Sequence, residues 1–177
     1  MPEFIPVLEK EKIDTIVADL ARRISKDYRN RELILIGVLK GSFIFLADLM
    51  RHLTIQVKMD FIGASSYGSG TSSTEKVQIT KKLHIDIKDK DVLVIEDIID
   101  TGITLEYLLG YLRAMSPRSI KVCTLLSKKE RRKTESKIDY VGHEVDEGFL
   151  VGFGLDFDEN YRNLPEIYHM KFLTGAC

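Results

Sequence analysis

Residues 92–104 have the sequence VLVIEDIIDTGIT, and this stretch decides the fold. It begins with a run of β-branched and other apolar residues, which is typical of a buried parallel strand. Two adjacent carboxylates and two isoleucines follow, and then a turn of aspartate, threonine and glycine. Leucines recur at helical spacing from position 105 to position 112. This order predicts an open α/β sheet with polar groups at a carboxyl strand end, where such sheets bind ligands.

The loop between this strand and helix carries residue types that suit a sugar phosphate. Gly102 permits a tight turn, and the amides from Thr101 to Thr104 lie at a helix N-terminus, which favours bound phosphate. Glu96 and Asp97 can accept hydrogen bonds from ribose hydroxyls or bind a divalent cation. The alternative is a solvated loop in which a threonine caps the helix. Three carboxylates within five positions, beside a glycine–threonine turn, favour the functional interpretation.

The composition of the 177-residue chain argues against several function classes. It has 26 Lys and Arg against 27 Asp and Glu, a net charge of −1, so no general attraction to nucleic acid or anionic membrane is expected. No apolar run approaches the roughly 20 residues of a spanning helix, and the N-terminus lacks a signal-peptide pattern. Cys123 and Cys177 do not suggest a disulfide framework, and the four histidines lack metal-ligand spacing. We expect a cytoplasmic protein with no membrane or nucleic-acid partner.

Strand and helix patterns alternate along the chain. Besides the central pair, helical spacing of apolar residues predicts helices near 13–24 and 42–50. The β-rich runs predict further strands at 33–39, 57–63 and 119–126, and two short ones within 140–153. The alternation predicts one α/β domain, residues 1–177, with a parallel sheet flanked by helices.

Residues 63–74 interrupt this alternation with a run rich in glycine, serine and threonine. Such a run is typical of a flexible surface loop. A long loop inside a compact domain is also often an active-site lid. In the second interpretation Ser66 and Tyr67 would close over a ligand. Composition alone favours neither interpretation.

A second candidate anion site follows the strand predicted at 33–39. Lys40, Gly41 and Ser42 combine a cation with backbone amides where a strand ends and a helix begins. Taken alone, the segment is better interpreted as an ordinary helix start with Ser42 as its N-cap. Beside a sugar-phosphate loop, however, a second anion site is what a pyrophosphate leaving group would need.

These segments resemble the signatures of the type I phosphoribosyltransferases. The stretch 92–104 matches their phosphoribosyl pyrophosphate motif: an apolar strand, two acids, two apolar residues and Asp-Thr-Gly-x-Thr. Residues 39–43, 125–133 and 147–165 are similar to the 6-oxopurine branch, the hypoxanthine-guanine phosphoribosyltransferases. The four motifs occur in the family's order and span most of the chain. The resemblance implies the type I fold, with a small hood formed by the N- and C-terminal segments.

The resemblance also implies which residues bind the substrates. Phosphoribosyl pyrophosphate would be bound by the two anion loops and a late arginine, that is by Leu39, Lys40, Gly41, Glu96, Asp97, Asp100, Thr101, Gly102, Ile103, Thr104 and Arg162. The purine would be bound by Lys128, Phe149, Leu150 and Asp156. Lys128 would donate to the exocyclic oxygen of the base, although the adjacent Lys129 leaves this choice ambiguous. Ile103 departs from relatives that carry lysine there, and only its backbone amide is implicated.

The implied reaction joins hypoxanthine or guanine to the ribose 5-phosphate of phosphoribosyl pyrophosphate and releases pyrophosphate. Mg²⁺ would be the cofactor, held by Glu96, Asp97 and Asp156. Asp100 would be catalytic, because it is placed to take the proton from purine N7. The lid at Ser66 and Tyr67 would exclude water. A homodimer or homotetramer is expected, as is usual in the family.

Two other functions are kept as alternatives. Some proteins of this fold bind RNA or DNA as regulators, and the basic run 128–133 is compatible with that role, although the net charge argues against it. In the enzyme interpretation, residues 131–133 would lie on a solvated helix surface, and Asp158 and Glu159 would be solvated. An adenine or pyrimidine enzyme is disfavoured by Lys128 and by the segment from 149 to 156.

Overall fold

The computed structural model describes residues 2–67, 76–146 and 148–172, with only the backbone at 66, 67, 76 and 172. Its helices and strands are, in chain order, β1 (Pro2–Leu8), α1 (Lys10–Asp27), β2 (Leu33–Leu39), α2 (Phe43–His52), β3 (Val57–Tyr67), β4 (Lys76–Lys81), β5 (Asp91–Ile99), α3 (Ile103–Arg113), β6 (Ser119–Lys128), β7 (Tyr140–Val145), β8 (Leu150–Val151) and β9 (Ile167–Phe172).

Six strands form the central sheet in the order β4-β3-β2-β5-β6-β7. Neighbouring strands are parallel except for β3 and β4, which are antiparallel. β2, β5 and most of β6 are buried, which accounts for their continuous apolar runs, because both faces of such strands are covered. The predicted α/β class with a parallel sheet flanked by helices is confirmed.

Alternate residues of β5 face opposite sides of this sheet. Leu93 and Ile95 belong to the core that includes α1 and α2, whereas Val92 and Val94 belong to the core beneath α3. The leucines of α3 that were predicted to form its apolar face are buried in that second core. Because side chains alternate along a strand, consecutive residues at the carboxyl end of β5 face different sides of the sheet.

A second, smaller sheet contains three antiparallel strands in the order β1-β9-β8. β1 lies near the N-terminus and β9 near the C-terminus, and they pair along the length of β1. Leu8 and Ile167 of this sheet join the same core as α1 and α2. The two terminal segments therefore form the expected hood.

The sequence patterns did not predict β1, β4 or β9, and they placed the ends of two other strands too early. β3 continues to Tyr67 and β6 to Lys128. β1 contains two prolines, which cannot donate to a ladder and so obscure a strand pattern. In the backbone of β3, Ser66 and Tyr67 pair with Val77 and Lys76 of β4. The rest of the predicted lid, residues 68–74, lies outside the described residues.

Candidate active site at the carboxyl ends of the strands

The carboxyl ends of β2, β5 and β6 meet at one edge of the sheet, because these strands are parallel neighbours. A cleft of about 670 Å³ opens there, lined by Asp97, Ile98, Asp100, Lys128, Arg131, Gly148, Phe149, Leu150, Leu155 and Asp156. A cavity of about 140 Å³ at the start of α3 shares Ile98 and Asp100 with this cleft. A larger groove, of about 970 Å³, lies between residues 29–32 and 54–58 and contains none of the predicted site residues.

The two adjacent acids of β5 face different spaces. Glu96 lines the small cavity, whereas Asp97 lines the cleft. Burial raises the pKa of Glu96 well above its usual range, and the charge of Asp97 adds to the rise. Burial also raises the pKa of Asp97 to about 6, against the effects of backbone amides, including Ile98 N at 2.9 Å, and of Arg162. A ligand that is cationic or that donates hydrogen bonds would stabilise the ionised form of both carboxyls.

The small cavity is formed by the turn that begins α3. Gly102 has φ +82° and is the N-cap residue of the helix, and a Cβ there would overlap the Thr134 hydroxyl oxygen. The first helical hydrogen bond runs from Glu106 N to Gly102 O at 2.9 Å, so the amides of residues 103–105 precede it. The N-cap residue Gly102 has no side chain to cap α3, and the side-chain bond at this turn is long, from Ile103 N to Thr101 Oγ1 at 3.5 Å. These features favour an anion site over the capping-threonine alternative.

The loop after β2 lies against this acidic edge. Its Leu39–Lys40 peptide bond is cis. A Cβ on Gly41 would overlap Asp97 Oδ2 and lie 2.6 Å from Asp97 Cγ, so the loop touches the carboxylate directly. The Ser42 hydroxyl donates to Val38 O at 2.7 Å and does not cap α2. The loop is therefore not the simple serine-capped helix start that the segment suggests in isolation.

Two neighbouring lysines at the end of β6 have different surroundings. Lys128 is buried, donates to Gly148 O at 2.7 Å, and has its Nζ 3.6 Å from Asp100 Oδ2. Lys129 has a side chain 79% exposed, and its Nζ lies 3.9 Å from Glu144. Lys128 lines the cleft and Lys129 does not, so the geometry favours Lys128 as the ligand-binding lysine.

An aromatic pair borders the cleft on the hood side. Phe149 is 43% exposed, and its ring meets that of Phe157 edge to face at 5.3 Å between centroids. Leu150 lines the cleft beside Phe149. An exposed aromatic face held by a second ring is a suitable stacking surface for a flat base.

The segment after Leu155 brings charges of both signs to the loop after β2. Arg162 Nη2 lies 2.9 Å from Asp156 Oδ1, and its Nη1 donates to Gly154 O at 2.8 Å. Glu159 Oε2 lies 2.9 Å from Lys40 Nζ and 3.4 Å from Arg162 Nη2. Glu159 is solvated as expected, with its side chain 63% exposed, and its carboxylate also contacts two cations predicted to bind pyrophosphate. Those cations hold the pKa of Glu159 below its ordinary value.

Asp100 lies between the small cavity and the cleft and lines both. Its Oδ2 is 3.1 Å from Arg131 Nη1, and its buried Oδ1 has no hydrogen-bond partner among the described residues. Arg132 donates to Ser127 Oγ at 3.0 Å, and the backbone amide of Lys133 donates to Thr101 O at 2.9 Å. The helix predicted for 131–133 is wrong, because the segment is a loop that folds back against the site. The predicted exposure is found at Arg131 and Lys133, whereas Arg132 is partly buried.

Known proteins are similar to this chain in both sequence and architecture. The family described as "Phosphoribosyl transferase domain" matches residues 7–158. The hypoxanthine-guanine phosphoribosyltransferase of Bacillus subtilis is 44% identical over 165 residues, covering 93% of this chain and 92% of that protein. The Aquifex aeolicus enzyme of that name is 45% identical over 166 residues, covering 93% of each. This chain belongs to the hypoxanthine-guanine phosphoribosyltransferase family.

A solved structure supports the same assignment. The hypoxanthine-guanine phosphoribosyltransferase of Bacillus anthracis superposes with a TM-score of 0.90 at 41% identity, covering 97% of this chain and all of that chain. The resemblance carried by the four motifs is thereby confirmed at the level of family and fold. The roles of individual residues stay predictions, which the site geometry supports to different degrees.

Hypoxanthine-guanine phosphoribosyltransferases belong to a class that generally uses Mg²⁺ with phosphoribosyl pyrophosphate. Within the described part of this chain, no group of three or more His, Cys, Asp or Glu side chains is close enough to hold a metal ion. The predicted set of Glu96, Asp97 and Asp156 is therefore not gathered into one cage, since Glu96 faces the small cavity. Mg²⁺ usually needs only one or two carboxylates, because waters and substrate phosphates complete its shell. Asp97 and Asp156, which both line the cleft, fit that requirement.

Three contributors to this family member's site were missed by sequence patterns: Arg131, Phe157 and Glu159. Each lies within a few residues of a predicted site residue, and this proximity in the sequence could have identified them as candidates. Their charges and rings looked like ordinary surface features, because the sequence does not show that Arg131 contacts Asp100, Glu159 contacts Lys40, or Phe157 contacts Phe149.

Proposed function

We propose that this protein acts in purine salvage, transferring the 5-phosphoribosyl group from phosphoribosyl pyrophosphate to hypoxanthine or guanine. The products would be IMP or GMP and pyrophosphate. The observation that carries the proposal is the convergence, at one sheet edge, of a helix-start anion cavity, a buried lysine and an exposed aromatic face. Family membership supports the same reaction.

The anionic parts of the substrate have two candidate sites. The 5-phosphate would bind the amides and hydroxyls from Thr101 to Thr104, where the start of α3 favours negative charge. Pyrophosphate would bind the backbone of residues 39–41 with Lys40 and Arg162, the two cations that Glu159 contacts. The carboxylate of Glu159 would compete with pyrophosphate for these two cations.

The sugar and base would lie between these anion sites. Asp97 faces the cleft and would accept hydrogen bonds from ribose hydroxyls, and Glu96 would support the sugar from the side of the small cavity. The purine would stack on Phe149 beside Leu150 and receive a hydrogen bond from Lys128 at its 6-oxo group. Asp156 would face the exocyclic edge of the base.

Asp97 and Asp156 would hold Mg²⁺, which when bound neutralises charge that develops on the leaving pyrophosphate. Asp100 would accept the proton of purine N7 as the ring nitrogen attacks the anomeric carbon. A lid containing Ser66 and Tyr67 would keep water from the reacting carbon. Closure of that lid stays a prediction.

Assembly, location and domain organisation also stay predictions. We propose that the protein forms a homodimer or homotetramer and that residues 1–177 form one domain. We also propose a cytoplasmic location, where phosphoribosyl pyrophosphate would be available as substrate. Among the described helices, none has the length and apolar character needed to cross a bilayer. The basic run 128–133 gives little support to the nucleic-acid alternative, because Lys128, Arg131 and Arg132 contact groups of the site and its supporting strand.

A parallel product assay tests the proposed function directly. Purified protein with Mg²⁺ and phosphoribosyl pyrophosphate would receive hypoxanthine, guanine, xanthine, adenine or uracil, and nucleotides would be separated by chromatography. We expect IMP and GMP, with little or no AMP or UMP. Preferential formation of AMP or UMP, or no nucleotide from any base, would contradict the proposal.

The first variant concerns the phosphate site. Thr104→Val should raise the KM for phosphoribosyl pyrophosphate about 10-fold, because it removes a hydroxyl whose bond to a charged phosphate contributes ~1.5–3 kcal/mol. Valine keeps the shape of the side chain, so the KM for the base should change little. Thr15→Val, at an exposed position of α1, is the matched control. An unchanged KM for phosphoribosyl pyrophosphate would reject the role of Thr104.

The second variant concerns the base. Lys128→Met keeps the buried stem packed but removes the ammonium, so use of hypoxanthine and guanine, measured as kcat/KM, should fall by roughly 10-fold or more. Lys129→Met removes an exposed ammonium from the neighbouring position and should change little. The opposite pattern, with Lys129 sensitive and Lys128 tolerant, would show that Lys129 and not Lys128 binds the base.

A further inference from the structure

Asp100 is held by cations through one oxygen. Oδ2 lies 3.1 Å from Arg131 Nη1 and 3.6 Å from Lys128 Nζ. Oδ1 is buried and lacks a hydrogen-bond partner among the described residues. The orientation of this carboxylate therefore depends on the contacts that Oδ2 makes with the two cations.

The two cations are not equivalent in this role. Lys128 Nζ already donates to Gly148 O at 2.7 Å, and its distance to Asp100 is beyond a normal hydrogen bond. In the proposed function Lys128 also binds the 6-oxo group of the purine, which draws its ammonium toward the base. Arg131 lines the same cleft, is within hydrogen-bond distance of Asp100, and has no assigned contact with either substrate.

The two residues that follow Arg131 are both hydrogen-bonded to the site. Arg132 donates from Nη2 to Ser127 Oγ at 3.0 Å, which fastens it to the end of β6. The amide of Lys133 donates to Thr101 O at 2.9 Å, which fastens the segment to the phosphate turn. Arg131 immediately precedes these two attachments, so its guanidinium approaches Asp100 from an anchored backbone.

We propose that Arg131 is a positioning residue, which holds the Asp100 carboxylate in place while Lys128 binds the purine. This inference rests on the proposed function, in which Asp100 accepts the N7 proton. Arg131 acts through Asp100 and transfers no proton itself. Its removal should therefore slow turnover and leave the binding of phosphoribosyl pyrophosphate largely intact.

The test is a double-mutant cycle with Asp100. Arg131→Gln should lower kcat about 10-fold, because small misplacements of a catalytic group are costly, with the KM for phosphoribosyl pyrophosphate changed less than about 2-fold. Arg131→Lys, which keeps a cation, should recover part of the loss. Lys129→Gln removes the same charge from an exposed neighbour and should behave like the wild type.

The decisive measurement is kcat in the Asp100→Asn background. There Arg131→Gln should cause no further loss, because the group it positions has already lost its function. Independent, multiplying losses would overturn the inference, and so would an unchanged kcat in Arg131→Gln. A raised KM for phosphoribosyl pyrophosphate at constant kcat would also overturn it, making Arg131 a substrate-binding cation. An inactive wild type contradicts the proposed function, whereas these outcomes in an active wild type contradict only the role of Arg131.

Discussion

Asp100→Asn is expected to fold, to bind phosphoribosyl pyrophosphate, and to lose turnover by about 10²-fold or more. Asparagine keeps the shape of the side chain and can still place an oxygen beside Arg131. It cannot accept a proton from purine N7. The expected result is therefore a fall in kcat with a nearly constant KM for phosphoribosyl pyrophosphate, measured by steady-state kinetics with hypoxanthine.

The competing explanation is that Asp100 only orders the turn before α3, as aspartates near helix starts often do. Asp86→Asn provides a control for that effect, because Asp86 Oδ1 accepts a hydrogen bond from Lys88 N at 2.9 Å in an exposed turn. That variant should be fully active. If Asp100→Asn also kept near-normal turnover, the proton acceptor would have to be sought elsewhere, in water or in a substrate phosphate.

The central part of the fold could be predicted because its patterns are local. The strand and helix around residues 92–112 show apolar runs and spacing that depend only on neighbouring residues. The hood could not be derived in that way, since β1 pairs with the distant β9, near the other end of the chain, and carries two prolines. Its presence was expected only from the family resemblance.

The candidate site shows the same division between local and distant information. Gly102 and Thr104 could be assigned to an anion site because the turn and the helix start are adjacent in sequence. The contacts of Glu159 with Lys40 and of Arg131 with Asp100 join residues from different loops, and no local pattern indicates them.

The different orientations of Glu96 and Asp97 could have been predicted from the sequence. The two acids were assigned together to the ribose hydroxyls or a cation, although consecutive residues of a strand face opposite sides. The structure places Glu96 at the small cavity and Asp97 in the cleft. The two-residue periodicity of β5 is by itself sufficient to predict that the two carboxyls face different sides of the sheet.

The contact between Gly41 and Asp97 predicts a second variant with a large loss of activity, Gly41→Ala. Gly41→Ala should lower kcat/KM for phosphoribosyl pyrophosphate by about 10²-fold, because a displacement of about 1 Å at a reacting site can cost that much. The added methyl would overlap Asp97 Oδ2 and lie 2.6 Å from its Cγ. Asp97 cannot turn away freely, since its Oδ1 accepts a hydrogen bond from Ile98 N at 2.9 Å. On the other side, the Gly41 carbonyl touches Gly154 so closely that a Cβ on Gly154 would overlap its oxygen.

Gly110→Ala is the matched control for this change. Gly110 lies at an exposed position within α3, and a Cβ there would meet no atom within 4 Å. Alanine favours the helix by ~1 kcal/mol over glycine, so this variant should be fully active and equally or more stable. Thermal unfolding would show whether Gly41→Ala remains folded, and kinetics with hypoxanthine would then report the site alone. A folded Gly41→Ala protein with kcat/KM within a few-fold of the wild type would mean that the loop after β2 and Asp97 can separate without harm to catalysis.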